Sequence, residues 1–134
     1  MRNLPFTKDA LEAIISKFPT PFHIYDEAGI RANVKRLQEA FAWNEGFREY
    51  FAVKALPNPV IMKLLFECGC GMDCSSLTEL MLSRTIGVTG HDVMFSSNDT
   101  PANEFQLASE MGVLINLDDI THIDFLAANG GIPK

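Results

Sequence analysis

Hydrophobic and polar residues follow a helical period in some stretches of the chain and a strand period in others. The first helix is predicted to begin after Thr7, a good N-cap residue, because apolar residues then recur every three or four positions. These residues are Leu11, Ile14, Ile15 and Phe18. Prolines at positions 19 and 21 end this helix, and residues 22–25 are predicted to form a short strand. Asp26 is the expected cap of a second helix. The apolar stripe of that helix is Ile30, Val34, Leu37 and Phe41.

From residue 49 onward the pattern repeats as four strands, each followed by a helix. The predicted strands are residues 49–55, 70–74, 91–96 and 113–117. The helices open on cap or turn residues, namely Asn58-Pro59, Ser76 with Glu79, Thr100-Pro101 and Asp118. Strand centres about 20–22 residues apart suit βα units with short loops. Because the strands are almost continuously apolar, they predict a parallel sheet covered by helices.

Two architectures fit a run of four βα units: a doubly wound open sheet, or part of a (β/α)₈ barrel. Neither a G-x-G-x-x-G nor a G-x-x-x-x-G-K-[ST] motif is present, which weakens the nucleotide-binding open sheet. A complete barrel takes about 250 residues, so 134 residues supply about half of one. The predicted organisation is therefore a helix and strand over residues 1–26, followed by the N-terminal half of a barrel over residues 27–134.

Charge and hydropathy restrict the partners and the location of the protein. The net charge of -6 and the scattered basic residues argue against a nucleic-acid partner. No apolar run is long enough to cross a bilayer, and the first residues lack the features of a signal peptide. Three clustered cysteines make a poor disulfide framework. We therefore expect a cytoplasmic protein without a membrane partner.

Lys54 is the leading candidate for chemistry. It lies near the end of an apolar strand, where a charged amine is costly to desolvate unless it has a task. One such task is the covalent attachment of a carbonyl cofactor as a Schiff base. The alternative is a lysine whose amine extends from the strand end into water. Reactive groups gather at the carboxyl ends of strands in both architectures, which favours the first interpretation.

Other candidate residues lie at neighbouring strand ends. Ala52 precedes the lysine by two positions and leaves room for a flat ring, and Asp73 occupies the matching end of the second strand. A carboxylate there either orients the lysine or caps the following helix. Asn98 is a weaker cofactor-binding candidate. It belongs with Ser96 and Ser97 to a polar cluster at the end of the third strand, which the residue preferences of turns also explain. The same explanation applies to Asn116 and Asp118 at the end of the fourth strand.

The cysteines and histidines do not form a recognisable site. Cys68, Cys70 and Cys74 lack the paired C-x-x-C spacing and the fourth ligand of a zinc centre, so we expect free, buried thiols and no metal. The three histidines lie in different predicted elements, and no catalytic triad can be argued from them.

Several segments together resemble a known family. They are residues 20–26, 50–55, 71–80, 94–98 and 115–118. In this order and at this spacing, they resemble the N-terminal part of the diaminopimelate decarboxylases. That family belongs to the alanine-racemase-like (fold-type III) class of pyridoxal-phosphate enzymes, which includes ornithine and arginine decarboxylases. The resemblance covers nearly the whole chain from residue 20 and implies a partial (β/α)₈ barrel of this type.

The resemblance also implies roles for particular residues. Lys54 would be the lysine that carries pyridoxal 5'-phosphate, and Asp73 the supporting aspartate beside it. The implied reaction is decarboxylation of meso-2,6-diaminopimelate to L-lysine and carbon dioxide by a homodimer. The family's phosphate-binding loop, the histidine against the cofactor ring and the substrate-binding residues belong to later segments. The 134 residues alone are therefore expected to be inactive, and to aggregate or self-associate through open sheet edges.

Two alternatives remain open at this point. One is a decarboxylase of another basic amino acid, such as ornithine, arginine or carboxynorspermidine, because the residues that would read the substrate lie outside these segments. The other is a non-catalytic half-barrel module.

Overall fold

The computed structural model describes residues 4–132, and its centre is a four-stranded parallel sheet. The strands are β1 (Tyr50–Ala52), β2 (Gly71–Cys74), β3 (Val93–Ser96) and β4 (Leu114–Asn116). They lie in the order β1-β2-β3-β4, and each neighbouring pair is parallel. A doubly wound sheet reverses its strand order at a switch point, whereas consecutive order is that of a barrel wall. The predicted α/β architecture with four βα units is confirmed.

The described residues contain six α-helices. They are α1 (Lys8–Ile15), α2 (Glu27–Ala40), α3 (Pro59–Glu67), α4 (Leu77–Thr85), α5 (Ala102–Glu110) and α6 (His122–Asn129). Several predicted caps form: Thr7 accepts from the Ala10 amide at 3.2 Å, and Asn58 from the Val60 amide at 3.0 Å. Asp26 occupies the N-cap position of α2 without a hydrogen bond from its side chain to the helix. The sequence therefore predicted the position of this cap correctly, but the side-chain hydrogen bond expected of a cap does not form.

The two faces of the sheet differ in what covers them. On the helix-covered face, Met72, Cys74, Val93 and Phe95 are at most 1% exposed. They form one core with buried residues of α2 to α6, such as Phe105 at 1% exposure. Burying such side chains contributes roughly 1.5–3 kcal/mol each, so this face holds most of the stability.

We call the opposite side the open face. Successive side chains along a strand point to opposite sides of a sheet, and strand register therefore places Ala52, Asp73, Met94 and Leu114 in one row across it. All four are only half-buried. In a barrel this face would be the interior.

The amino end of the open face is filled by a side chain. The Tyr50 ring lies over Gly71, and its hydroxyl donates to the His91 carbonyl at 2.8 Å, so one residue of β1 reaches the 3₁₀ turn that precedes β3. Arg48 stands 5.3 Å from the centre of that ring and pairs with Asp92 at 2.6 Å. These contacts fill the amino end of the open face, whereas its carboxyl end is not covered by them.

Two predictions about strands were wrong, and a third strand, predicted over residues 91–96, begins only at Val93 because Gly90–Asp92 forms a 3₁₀ turn. Residues 22–25 form neither helix nor strand, although their sequence is strand-like. A strand needs a neighbouring strand to which it can hydrogen-bond. The edge strand nearest in sequence is β1, and among the described residues β1 pairs only with β2 and not with residues 22–25. The strand predicted over residues 49–55 is also shorter, because Val53–Ala55 curls into a single 3₁₀ turn.

The amphipathic helix α1 forms, but its apolar face is not covered. None of its residues is buried, and Ile15 and the following Phe18 are 44% and 59% exposed. The helical period was therefore a correct sign of secondary structure, while burial of the stripe depends on contacts that residues 4–132 do not supply.

Candidate functional site

Lys54 lies where β1 ends. The 3₁₀ turn that carries it is closed by the Leu56 amide, which donates to the Val53 carbonyl at 3.1 Å. Val53 is fully buried while Lys54 is exposed. The turn therefore anchors the backbone on the helix-covered face and leaves the amine at the carboxyl end of the sheet, where α/β proteins place their ligands.

Asp73 is the carboxylate nearest to this point in the register of the sheet. It pairs with Ala52, two residues before Lys54. Burial raises the pKa of the Asp73 carboxyl, the Lys54 ammonium opposes this, and the Glu79 carboxylate adds to it. Its Oδ1 atom is shielded from solvent and has no hydrogen-bond partner among residues 4–132. A buried acceptor without a donor is costly, so this oxygen is available to a group from outside residues 4–132.

Ala52 adjoins both residues, as the register partner of Asp73 and the last residue of β1 before the turn that carries Lys54. It is half-buried and shares the open face with Asp73. Because its side chain is only a methyl group, it leaves space beside the carboxylate. The structure therefore brings Lys54, Ala52 and Asp73 together, as the sequence predicted for their positions.

The next row toward the carboxyl end is polar. Ser96 and Asn116 are in register, and the Asn116 amide group donates to the Ser96 hydroxyl at 3.4 Å. Asn98 lies two residues past β3 in an exposed turn. The same turn is held by Thr100, whose hydroxyl donates to the Ser97 carbonyl at 3.2 Å. The structure thus places Asn98 outside the row formed by Ser96 and Asn116.

The loop between β2 and α4 is held by side chains. Ser76 caps α4 by accepting from the Glu79 amide at 3.4 Å, as the capping-box pattern predicted. The Glu79 carboxylate instead accepts from the Ser75 amide at 2.8 Å, one residue before the cap. Glu104 of α5 accepts from the Leu77 amide at 2.8 Å. No local pattern indicated this last contact, because the two residues are 27 positions apart.

The cysteines are free thiols, as predicted, with Cys70 and Cys74 buried and Cys68 half-buried. Burial raises the pKa of Cys74 to about 12, although its contact with the Ser83 hydroxyl at 3.2 Å works in the opposite direction. A thiol that stays protonated is a poor nucleophile. Cys74 therefore belongs to the core and leaves Lys54 as the candidate nucleophile of this part of the sheet.

These residues fit pyridoxal phosphate. The site offers a lysine amine for covalent attachment, a carboxylate with an unpartnered oxygen, and a low surface over an alanine. Within residues 4–132 the open face is wide enough only to form one wall of a binding site, since the strands that would oppose it are not among them.

The family of the chain follows from comparison with known sequences. Residues 27–130 match the family described as "Pyridoxal-dependent decarboxylase, pyridoxal binding domain". The chain therefore belongs to the pyridoxal-dependent decarboxylases, and its cofactor is pyridoxal phosphate. The resemblance stated from the sequence is confirmed.

Individual relatives agree with this assignment. Over 118 residues the chain is 45% identical to Protein TabA of Pseudomonas amygdali pv. tabaci, covering 88% of this chain and 28% of the relative. Over 112 residues it is 30% identical to a diaminopimelate decarboxylase of Thermoplasma acidophilum, covering 84% of this chain and 27% of the relative. The crystal structure of ornithine decarboxylase from Entamoeba histolytica superposes with a TM-score of 0.76 at 32% identity. The match covers 91% of this chain and 39% of the ornithine decarboxylase chain. The chain thus spans less than a third of the length of the two curated relatives.

Among residues 4–132, no helix is both long enough and apolar enough to span a bilayer.

Proposed function

We propose that this chain is the cofactor-anchoring part of an enzyme that decarboxylates meso-2,6-diaminopimelate to L-lysine and carbon dioxide. The observation that carries the proposal is the placement of Lys54 just past the end of β1, while Asp73 on the neighbouring strand is in register with Ala52 and faces the open side of the sheet. Membership of the pyridoxal-dependent decarboxylases supports it.

The bound cofactor would supply an electron-withdrawing ring that accepts the electrons left on the α-carbon when carbon dioxide departs. Lys54 would hold the cofactor covalently through its amine. Asp73 would act beside it as an anionic partner: its carboxylate already interacts with the Lys54 ammonium, and its Oδ1 is free to accept a hydrogen bond. Ala52, with its small side chain, would leave space for a flat ring beside Lys54 and Asp73. Asn98 is a weaker candidate for contact with the cofactor.

The substrate is inferred from relatives rather than from residues of the site. The diaminopimelate decarboxylase of Thermoplasma acidophilum is 30% identical over 84% of the chain. A second candidate is ornithine, because the Entamoeba histolytica ornithine decarboxylase is 32% identical over 91% of the chain. Arginine and carboxynorspermidine are further substrates to compare in the test.

The complete enzyme is proposed to be a cytoplasmic homodimer. Chain segments beyond residues 27–134 would complete the barrel and bind the cofactor phosphate and the substrate. The open face supports this division of labour, because it forms one wall only.

Covalent trapping tests the role of Lys54. The 134-residue chain is incubated with pyridoxal phosphate, reduced with borohydride and digested, and the peptides are analysed by mass spectrometry. We expect a pyridoxyl group on Lys54 at concentrations that leave Lys63, an exposed lysine of α3, largely unmodified. The matched variants are Lys54→Ala, which should lose the labelling, and Lys63→Ala, which should keep it. Equal labelling of both lysines, in this chain and in the complete protein, contradicts the proposal.

The substrate is tested with the complete protein encoded around this chain. Carbon dioxide release is measured from diaminopimelate, ornithine, arginine and carboxynorspermidine at equal concentration. We expect the highest kcat/KM for diaminopimelate. A preference for ornithine would move the assignment to the second candidate, and labelling of Lys54 without release from any of the four would favour a non-catalytic module.

A further inference from the structure

The first turn of α4 is held by a side chain from another helix. The amide of Leu77, the first residue of α4, donates to Glu104 Oε1 at 2.8 Å. The helix's own cap is weaker in geometry, since the Ser76 hydroxyl accepts from the Glu79 amide at 3.4 Å. The first amides of a helix have no partner within the helix and depend on such acceptors. The contact with Glu104 is therefore the shorter of these two supports of the α4 amino terminus.

Glu104 is well placed electrostatically for this contact. It is the third residue of α5 and lies in the first turn of that helix. The amino end of a helix carries a partial positive charge, so a carboxylate near it is stabilised. Because the Glu104 carboxylate also reaches Leu77, it lies at the amino ends of α4 and α5 together. It connects two consecutive βα units at the end of the sheet where Lys54 and Asp73 lie.

The contact is close to Asp73 along the chain. Only Ser75 and Ser76 separate β2 from α4. The Ser75 amide donates to Glu79 at 2.8 Å, and the Leu77 amide to Glu104 at the same distance. Asp73 Oδ1, by contrast, has no hydrogen bond within residues 4–132. The backbone of Asp73 is paired with Ala52 and Met94 in the sheet, and the loop that follows it is held by these two glutamates.

We propose that Glu104 is a positioning residue of the cofactor site, whose hydrogen bond to Leu77 fixes the end of β2 and thereby the placement of Asp73 beside Lys54. This inference rests on the proposed function, because it assigns Asp73 a part in that site. Glu104 acts through the backbone of the β2–α4 loop and does not contact the cofactor.

Three substitutions separate the length of the side chain from its charge. Glu104→Gln keeps an oxygen at the same reach and removes the charge. Glu104→Asp keeps the charge and shortens the side chain by one methylene, so the oxygen no longer reaches Leu77. Glu104→Ala removes both. The matched control is Glu110→Ala, at the other end of the same helix, where the side chain is 71% exposed and 3.5 Å from Arg84.

The primary readout is the pKa of Asp73, measured by NMR titration of its carboxyl carbon in the folded 134-residue chain without cofactor. We expect Glu104→Gln and Glu110→Ala to match the original chain. In Glu104→Asp and Glu104→Ala the loosened loop should expose Asp73 and lower its pKa by about 0.5 or more, roughly a threefold change in the acid constant. A purely structural role would change the unfolding midpoint without this shift in the folded state.

The second readout is borohydride labelling of Lys54, which should fall in Glu104→Asp and be restored in Glu104→Gln. An unchanged Asp73 pKa in Glu104→Asp overturns the proposal. So does the reverse ranking, with Gln impaired and Asp normal, since it would assign the effect to charge. If Glu104→Ala does not fold, the Gln and Asp variants decide. Absence of Lys54 labelling in the original chain contradicts the proposed function, whereas the Asp73 titration still decides the role of Glu104.

Discussion

The two faces of one sheet have different tasks, although the same four strands build both. On the helix-covered face, Phe95 and Met72 are shielded from water and packed against α-helices. On the open face, their direct neighbours in sequence, Met94 and Asp73, are half-buried, and one of them carries a charge. The period of two in a strand lets adjacent residues be selected separately for packing and for chemistry. The comparison indicates that the packed face and the face proposed to bind the cofactor can be changed independently.

The largest effect is expected from a substitution on the helix-covered face. Phe95→Ala should lower the free energy of unfolding by about 3–5 kcal/mol, because it leaves a cavity and removes an edge-to-face contact with Phe105, whose ring centre is 6.2 Å away. The matched control is Met94→Ala, the adjacent residue on the other face, which should lower it by less than about 1 kcal/mol. Urea denaturation measures both. Equal losses would show that the two faces are packed alike.

A smaller effect is expected at the filled, amino end of the open face. A Cβ added at Gly71 would lie 2.9 Å from the Asp92 carbonyl oxygen and still closer to the Tyr50 ring. Gly71→Ala should therefore lower the free energy of unfolding by about 1–3 kcal/mol, the usual range for overpacking. Gly46→Ala is the control, because its Cβ would meet only Asn44 Oδ1 at 3.5 Å. A neutral Gly71→Ala would mean that Tyr50 does not occupy this end of the face.

The smallest effect, of opposite sign, is expected at Asp73. Burial raises the pKa of this carboxyl above its value in the unfolded chain. The folded state then binds the proton more tightly, so stability falls as the pH rises from about 4 through the folded-state pKa. At pH 7 Asp73→Asn should raise the free energy of unfolding by up to about 1 kcal/mol, a gain limited by solvent screening of the half-exposed group.

Denaturation of Asp73→Asn and the original chain at a series of pH values tests this sign. The difference between them should shrink toward zero as the pH falls below about 4 to about 3, where the original carboxyl becomes largely protonated in both states. Destabilisation by Asp73→Asn at pH 7 would show instead that the attraction of the Lys54 charge outweighs the cost of burial.

The sequence predicted most of the fold because the determining interactions are local. Apolar runs, the Asn58-Pro59 start of α3 and the Ser76 cap of α4 each act within a few residues and are found in the structure. The grouping of Lys54 with Asp73 was also predictable, since the carboxyl ends of parallel neighbouring strands meet at one edge. The role of each residue in cofactor binding stays a prediction.

What the sequence did not predict depends on partners distant in the chain. Residues 22–25 have strand-like side chains but no neighbouring strand to pair with. The apolar stripe of α1 has the right period, yet its burial requires a surface outside residues 4–132. The contact between Glu104 and Leu77 joins two helices and leaves no pattern in either.

The position of β1 in the sheet has a consequence for the order of assembly. Among residues 4–132, β1 bonds to β2 on one side only, so in the proposed complete barrel its other edge would be the place where the ring closes. A ribosome delivers β1 before β2, β3 and β4, while the strand that covers its free edge would be the last to arrive. In the enzyme proposed above, Lys54 would thus be among the first parts of the site to be synthesised and among the last to be enclosed, which would couple cofactor retention to closure of the ring.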